Sequence, residues 1–180
     1  MRKDLVVLVT ESGEPIGLAD KMAAHQQGLL HLAFSVMIYR ETAVGREYLL
    51  QQRAQSKYHS GGLWTNTCCS HPMQGEAFDV AAARRLHEEL GIVAPLTFQM
   101  GTTFCYRAEL DNNLTEHELD QIIACEADNV ALVPNPDEVM DWRWWPEQEM
   151  CDAMRTTPER FTAWFSLVVG HIEKQLTAQA

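Results

Sequence analysis

The sequence predicts an α+β protein, because strand-like runs fill the middle of the chain while helical periodicity governs its end. With 180 residues and 46% apolar side chains the chain can bury one sizeable core, and the expected organisation is one domain over residues 1–180. Leu5–Thr10 reads as a strand, Glu11–Glu14 as the turn that follows, and Lys21–His25 as a short helical turn or a loop. His31–Tyr39 is apolar and partly β-branched, which suits a buried strand. Gly45 breaks it, and Glu47–Gln52 supplies the second arm of a hairpin.

From Ala54 to Gly75 runs a long loop rich in Ser, Gly, His and Cys, and a loop of that length with little structure of its own is usually functional. Across Glu76–Leu90, Phe78, Ala82, Leu86 and Leu90 recur at helical spacing, and Gly91 stands where a helix would stop. Leu96–Leu110 and Gln121–Ala127 read as strands joined by the polar segment Asp111–Asp120, and Val139–Trp145 as a strand ended by Pro146. Pro158–Gln175 reads as an amphipathic helix with Phe161, Trp164, Phe165 and Val168 on one side.

Charge and cysteine usage narrow the function classes. Twenty-five acids against 14 bases leave a net charge of −11, so the chain has no overall attraction for nucleic acid or an anionic membrane surface. Any anionic ligand must be held by a local cluster of positive charge or by metal ions. The opening offers only Leu5–Val9 as an apolar run, against about 20 residues for a span. The five cysteines, Cys68, Cys69, Cys105, Cys125 and Cys151, are an odd count. Together these predict reduced thiols in the cytoplasm.

The first chemical candidate is a set of histidines and acids. His25 and His31 flank a short loop, His71 lies in the Cys-rich loop, and Glu116 and Glu118 stand two apart. In extended chain, residues i and i+2 share a face, so both carboxylates could address one ion. Three imidazoles and two carboxylates form a shell suited to Zn²⁺, Mn²⁺ or Fe²⁺ at more than four coordination, unlike a structural zinc site built on paired Cys. Spacing alone favours unrelated surface or packing histidines, because five ligands drawn from three segments make a weak signal.

The second candidate is the helix. Glu76, seven residues, then Arg84-Arg85-Leu86-His87-Glu88-Glu89-Leu90-Gly91-Ile92 resembles the Nudix box, in which acids at helical spacing hold Mg²⁺ against the oxygens of a diphosphate. Two positions depart from it: Ser70 replaces the first glycine, and Arg85 replaces the glutamate after the first arginine. Losing that carboxylate and gaining a cation points to binding a diphosphate rather than cleaving it.

The third is Trp64-Thr65-Asn66-Thr67-Cys68-Cys69-Ser70-His71-Pro72. It resembles the active-site cysteine motif of type I isopentenyl-diphosphate isomerases, which carry it directly before a degenerate Nudix helix. The resemblance extends upstream through Lys21–His25, Gly28–Ser35, Gln52-Arg53-Ala54 and Lys57, and downstream through Tyr106-Arg107-Ala108, Glu116-His117-Glu118 and Asp137-Glu138-Val139, fading after about Glu173.

The resemblance implies a Nudix-like mixed sheet sandwiched by helices with a C-terminal helical extension. It also implies interconversion of isopentenyl and dimethylallyl diphosphate, a 1,3 shift of a double bond. Cys69 and Glu118 match the family's two proton-transfer groups; His25, His31, His71, Glu116 and Glu118 match its Mn²⁺- or Zn²⁺-type shell. Glu89 and the main-chain carbonyl of Cys69 match the Mg²⁺ ligands that accompany the substrate. Lys21, Arg53, Lys57 and Arg85 match its phosphate-binding cations, and Trp164 the tryptophan over the reacting carbons. Tyr106, on the substrate side, matches the tyrosine that hydrogen-bonds the catalytic carboxylate. Cys68, Cys105, Cys125, Cys151, Trp64, Trp142, Trp144 and Trp145 are expected to be structural. The implied partner is a small prenyl diphosphate, with no nucleic acid or membrane, and a monomer is expected.

Overall fold

The computed structural model describes residues 4–180, and its organising element is the long strand β3 (His31–Thr42). Along one edge β8 (Thr115–Glu126) runs parallel to it, from His31 opposite Glu118 to Tyr39 opposite Glu126. Along the other edge three antiparallel partners follow in turn. These are β1 (Leu5–Val9) at His31, β6 (Cys68–Ser70) at Phe34–Val36, and β4 (Gly45–Arg53) at Ile38–Thr42. β2 (Pro15–Asp20) pairs with β1, β5 (Trp64–Thr65) and β9 (Val139–Pro146) with β4, and β7 (Gln99–Glu109) with β8. The result is a mixed sheet.

Period-two alternation on β3 and β8 sorts the core into two layers. Phe34, Val36 and Ile38 of β3, with Ile123 and Cys125 of β8, meet Ala81, Ala82, Leu86 and Leu90 of helix α2 (Phe78–Leu90). Met37 and Tyr39, with Ile122 and Ala124, meet Phe165, Val168, Val169 and Ile172 of the C-terminal helix α4 (Phe165–Ala178). Each fully buried Leu or Phe contributes roughly 1.5–3 kcal/mol, so the sheet is fixed between helices from both sides. α2 ends at Gly91, which adopts φ 65°; a Cβ there would lie 2.4 Å from the Val133 carbonyl oxygen, so only glycine fits.

Several expected boundaries change. The expected loop from Ala54 to Gly75 contains β5 and β6, which dock it onto β4 and β3. The segment Asp111–Asp120, expected to connect strands, already enters β8 at Thr115. The helix expected from Pro158 starts at Phe165: Pro158–Arg160 form only a 3-10 turn, after which Phe161 bridges to Trp64 and Thr162 N donates to the Trp64 carbonyl at 3.0 Å. Helix α1 (Lys21–Gln27) confirms the helical option for that segment; β2 and α3 (Glu147–Thr156) have no counterpart in the sequence expectations. No helix among the described residues is long and apolar enough to cross a membrane.

Candidate active site

On β8 the residues Glu116, Glu118 and Asp120 share a face with Ile122 and Ala124, so three acids line up on the α4 side of the sheet, all buried. Opposite them stands His31, the first residue of β3, paired with Glu118 in the strand register. His25 comes from the last turn of α1. That helix starts on Asp20, whose carboxylate accepts from Ala23 N at 3.1 Å, and stops at Gly28 with φ 64°. A Cβ at Gly28 would lie 3.2 Å from the Arg107 guanidinium. His71 follows β6.

Tautomers follow from the neighbours. His25 Nδ1 lies 2.7 Å from the Lys21 carbonyl oxygen and His31 Nδ1 lies 2.8 Å from that of Leu29. A ring nitrogen facing a carbonyl carries the proton, which leaves each Nε2 as a lone pair directed inward. His25 Nε2 is 3.3 Å from Glu116 Oε2, and His31 Nε2 is 3.2 Å from Glu118 Oε2. Neither contact is aligned as a hydrogen bond: both nitrogens and Glu116 Oε2 are buried without a hydrogen-bond partner among the described residues. Buried lone pairs facing carboxylate oxygens are costly unless a cation lies between them. One ligand atom from each of His25, His31, His71 and Glu118 falls within 4.8 Å of all the others, and His25 forms a second such set with His59 and Glu116. The donor set thus fits a divalent ion. With a proton in place of the inward lone pairs, the imidazoles of His31 and His71 outweigh burial and hold the Glu118 carboxyl well below the usual carboxylate range. Burial and the Glu118 charge push Asp120 well above that range. Tyr106 donates its hydroxyl proton to Glu118 Oε1.

The thiol is set by strand alternation. Cys68 points into the α2 layer and is fully buried, whereas Cys69, opposite Ser35 in the register, points to the acidic face. Its Sγ donates to Asn66 Oδ1 at 2.9 Å and accepts from Trp164 Nε1 at 3.0 Å. Ser35 Oγ lies 3.5 Å away and donates to Asp120 Oδ2 at 2.7 Å. Asn66 cannot turn, because its amide nitrogen is committed to the carbonyls of Val36 and Cys68. Burial and the charge on Asp120 push the thiol up to about 12, so Cys69 holds its proton at neutral pH. Cys69, Glu116, Glu118, His71 and Trp164 border one cavity of about 20 Å³, together with Arg53, Tyr58, His59 and Ser70.

The expected phosphate-binding cations spread over two places. Lys21 and Arg85 line a larger polar cavity of about 630 Å³ with Arg84, Ser70, His71 and Glu138. Arg53 lines the thiol cavity, 5.6 Å from the centroid of Trp164 and bonded through Nη2 to the His59 carbonyl at 3.0 Å. Lys57 pairs with Glu138. On the Nudix-like helix, Arg84 pairs with Glu76 at 2.8 Å and with Glu88 at 3.5 Å, and Arg85 pairs with Glu88 and, at 2.7 Å, with Glu89. The other Glu89 oxygen accepts from Gln51 Nε2 at 2.9 Å, which still leaves each oxygen a free lone pair. His59, Asp120 and Asn66 were not among the residues singled out from the sequence. Asp120 continues the i, i+2 series of Glu116 and Glu118, and that continuation is the signal that could have found it.

A mixed sheet held between helices, with a Nudix-like helix beside a cluster of ion-ready donors, defines a class, and comparison with known proteins bears it out. The NUDIX domain family matches residues 29–165. The isopentenyl-diphosphate Delta-isomerase of Photobacterium profundum is 51% identical over 177 residues, 98% of each chain. That of Aliivibrio fischeri is 50% identical over 92% of each, and that of Pectobacterium atrosepticum 47% over 93% of this chain and 90% of its own. The crystal structure of DR0079 from Deinococcus radiodurans superposes with a TM-score of 0.72 at 15% identity, covering 93% of this chain and 99% of its own, a likeness of fold. The chain belongs to the NUDIX domain family and, within it, to the isopentenyl-diphosphate Delta-isomerases.

Proposed function

We propose that this chain interconverts isopentenyl and dimethylallyl diphosphate as a single cytoplasmic domain, without nucleic acid or membrane partners and as a monomer. The observation that carries the reading is one small cavity bordered by a protonated thiol, Cys69, and a buried carboxylate, Glu118, beside a cluster of imidazoles.

An unactivated alkene is a weak base, so the isomerisation needs a positioned acid in a dry pocket. The acid gives its proton to the terminal methylene carbon; the π pair forms the new C–H bond and leaves a tertiary cation at C3. The partner base then takes a proton from C2, whose C–H pair becomes the C2–C3 double bond. Cys69 and Glu118 are the two groups; Asn66 and Trp164 aim the thiol, and Tyr106 aims the carboxylate. The Trp164 indole lines the cavity, and an aromatic face stabilises a desolvated cation by roughly 2 kcal/mol.

His25, His31, His71, Glu116 and Glu118 would hold Mn²⁺ or Zn²⁺, and Glu89 with the Cys69 carbonyl would hold Mg²⁺ with the diphosphate. When bound, these ions supply fixed positive charge that orients the carboxylate and neutralises the phosphate oxygens. Lys21, Arg53, Lys57 and Arg85 supply the remaining cationic surface.

Proton NMR of isopentenyl diphosphate with the protein and Mg²⁺ in heavy water tests the reading. The expected result is growth of the dimethylallyl methyl signals with deuterium incorporation. Release of phosphate without double-bond migration would instead make it a hydrolase, and metal binding without turnover a metal or thiol module.

A further inference from the structure

We infer that His59 is a fourth imidazole ligand of this metal centre, so that the ion sits among four histidines and two glutamates. The inference rests on the reading that the cluster holds a divalent ion. His59 is 1% exposed, and its Nε2 lies 3.0 Å from Glu116 Oε1. That contact is not aligned as a hydrogen bond, and His59 Nε2 is buried without a partner among the described residues, like Nε2 of His25 and His31. Its Nδ1 lies 3.0 Å from Ser60 Oγ, a hydroxyl able to accept the ring proton and so leave Nε2 as a bare donor.

Each imidazole–carboxylate pair is spaced like neighbouring ligands of one ion, with His25 and His59 facing different oxygens of Glu116. Bonds of roughly 2.0–2.2 Å place neighbouring ligand atoms of a six-coordinate ion about 3 Å apart. The four imidazole–carboxylate separations are 2.9 Å for His71–Glu118, 3.0 Å for His59–Glu116, 3.2 Å for His31–Glu118 and 3.3 Å for His25–Glu116. His25 is common to the two compact donor sets, and so links His59 and Glu116 to His31, His71 and Glu118.

The fold holds His59 in place from both sides. Arg53 donates to its carbonyl at 3.0 Å, and Asp111 Oδ1 accepts from Ser60 N at 2.9 Å. Ser60 is thereby kept at φ 54°, a left-handed conformation that costs a non-glycine residue about 1 kcal/mol or more and persists where neighbours enforce it. The ring meets Trp164 edge-on, with centroids 5.7 Å apart, so the ligand also props the indole that contacts the thiol.

Loading the metal-free protein with Co²⁺ alone provides a count, because each ligating imidazole gives one paramagnetically shifted, exchangeable ring N–H signal in proton NMR. Four such signals are expected in the wild type. His59→Ala is expected to lose one and to bind Co²⁺ at least ~10-fold more weakly in competition with a chelator. His59→Gln, closer in size, replaces it if the alanine variant does not fold. Three signals in the wild type, or retention of all of them in either folded variant, would overturn the assignment while leaving the isomerase reading intact. Failure of the wild type to take up Co²⁺ would remove the ion-binding reading as well.

Discussion

Tyr106→Phe isolates one interaction of the candidate catalytic carboxylate. The hydroxyl donates to Glu118 Oε1, and the ring lies buried with Phe104 stacked on it at 5.6 Å, so phenylalanine preserves packing and deletes one hydrogen bond. A hydrogen bond to an ionised carboxylate is worth about 1.5–3 kcal/mol. If that interaction is needed to aim Glu118 in the transition state, then at about 1.4 kcal/mol per decade kcat falls roughly 10- to 100-fold. KM stays within about threefold, because Tyr106 does not border the thiol cavity and its hydroxyl is spent on Glu118. Initial rates of dimethylallyl diphosphate formation across a range of substrate concentrations, with metal content checked in both proteins, provide the measurement. A kcat within threefold of wild type, or a loss carried wholly by KM, would refute the aiming role.

Three further outcomes are expected. Cys69→Ala and Glu118→Gln each remove nearly all turnover while isothermal calorimetry still detects substrate; a Cys69→Ala enzyme with a near-normal rate would end the proton-transfer assignment. Arg85→Ala raises the apparent KM at least ~10-fold and changes kcat less, since Arg85 lines the polar cavity and also steadies Glu89; an unchanged KM would remove the phosphate role. Dialysis against a chelator abolishes activity and lowers the melting temperature by roughly 5–10 °C relative to protein with the ion at 100 times its Kd, a linkage of about 2.7 kcal/mol. Full activity in stripped protein would take metal out of the mechanism.

How much the sequence discloses depends on which way its polar residues face. The α2 helix was legible because its apolar residues and its glycine stop obey the same rules that bury it. β8 was legible only from Gln121 onward, because in Thr115–Asp120 the buried residues include three acids, Glu116, Glu118 and Asp120, while His117 on the other face is half-buried. Hydropathy cannot find a strand whose buried face is an ion site. β2 is mostly exposed, and α3 buries only Met150, so neither carries a periodic signal. The proposed metal set can be read as residue types, whereas the proposal of Cys69 over Cys68 comes from family position, and strand alternation turns Cys69 to the acidic face and Cys68 to the α2 layer. His59 escaped because a lone histidine in a long loop has no spacing to betray it.

The chain keeps a NUDIX-like helix while pairing its acids with arginines. Glu76, Glu88 and Glu89 would together present three negative charges to a metal–diphosphate, yet Arg84 and Arg85 engage all three in ion pairs. That neutralisation leaves a surface on which a diphosphate can rest beside cations, with less charge available to gather the ions that activate water for phosphorus attack. The buried negative charge stands instead on the opposite side of the sheet, in Glu116 and Glu118 on the face that α4 covers. There burial excludes water, which is what a carbocation requires and what a hydrolase could not use. Restoring the lost acid with Arg85→Glu tests the argument. Isomerisation should fall through weakened substrate binding, and no diphosphate cleavage should appear, because the water-excluding face is unchanged. Phosphate release by that variant above the wild-type background would show that the arginine alone separates the two chemistries.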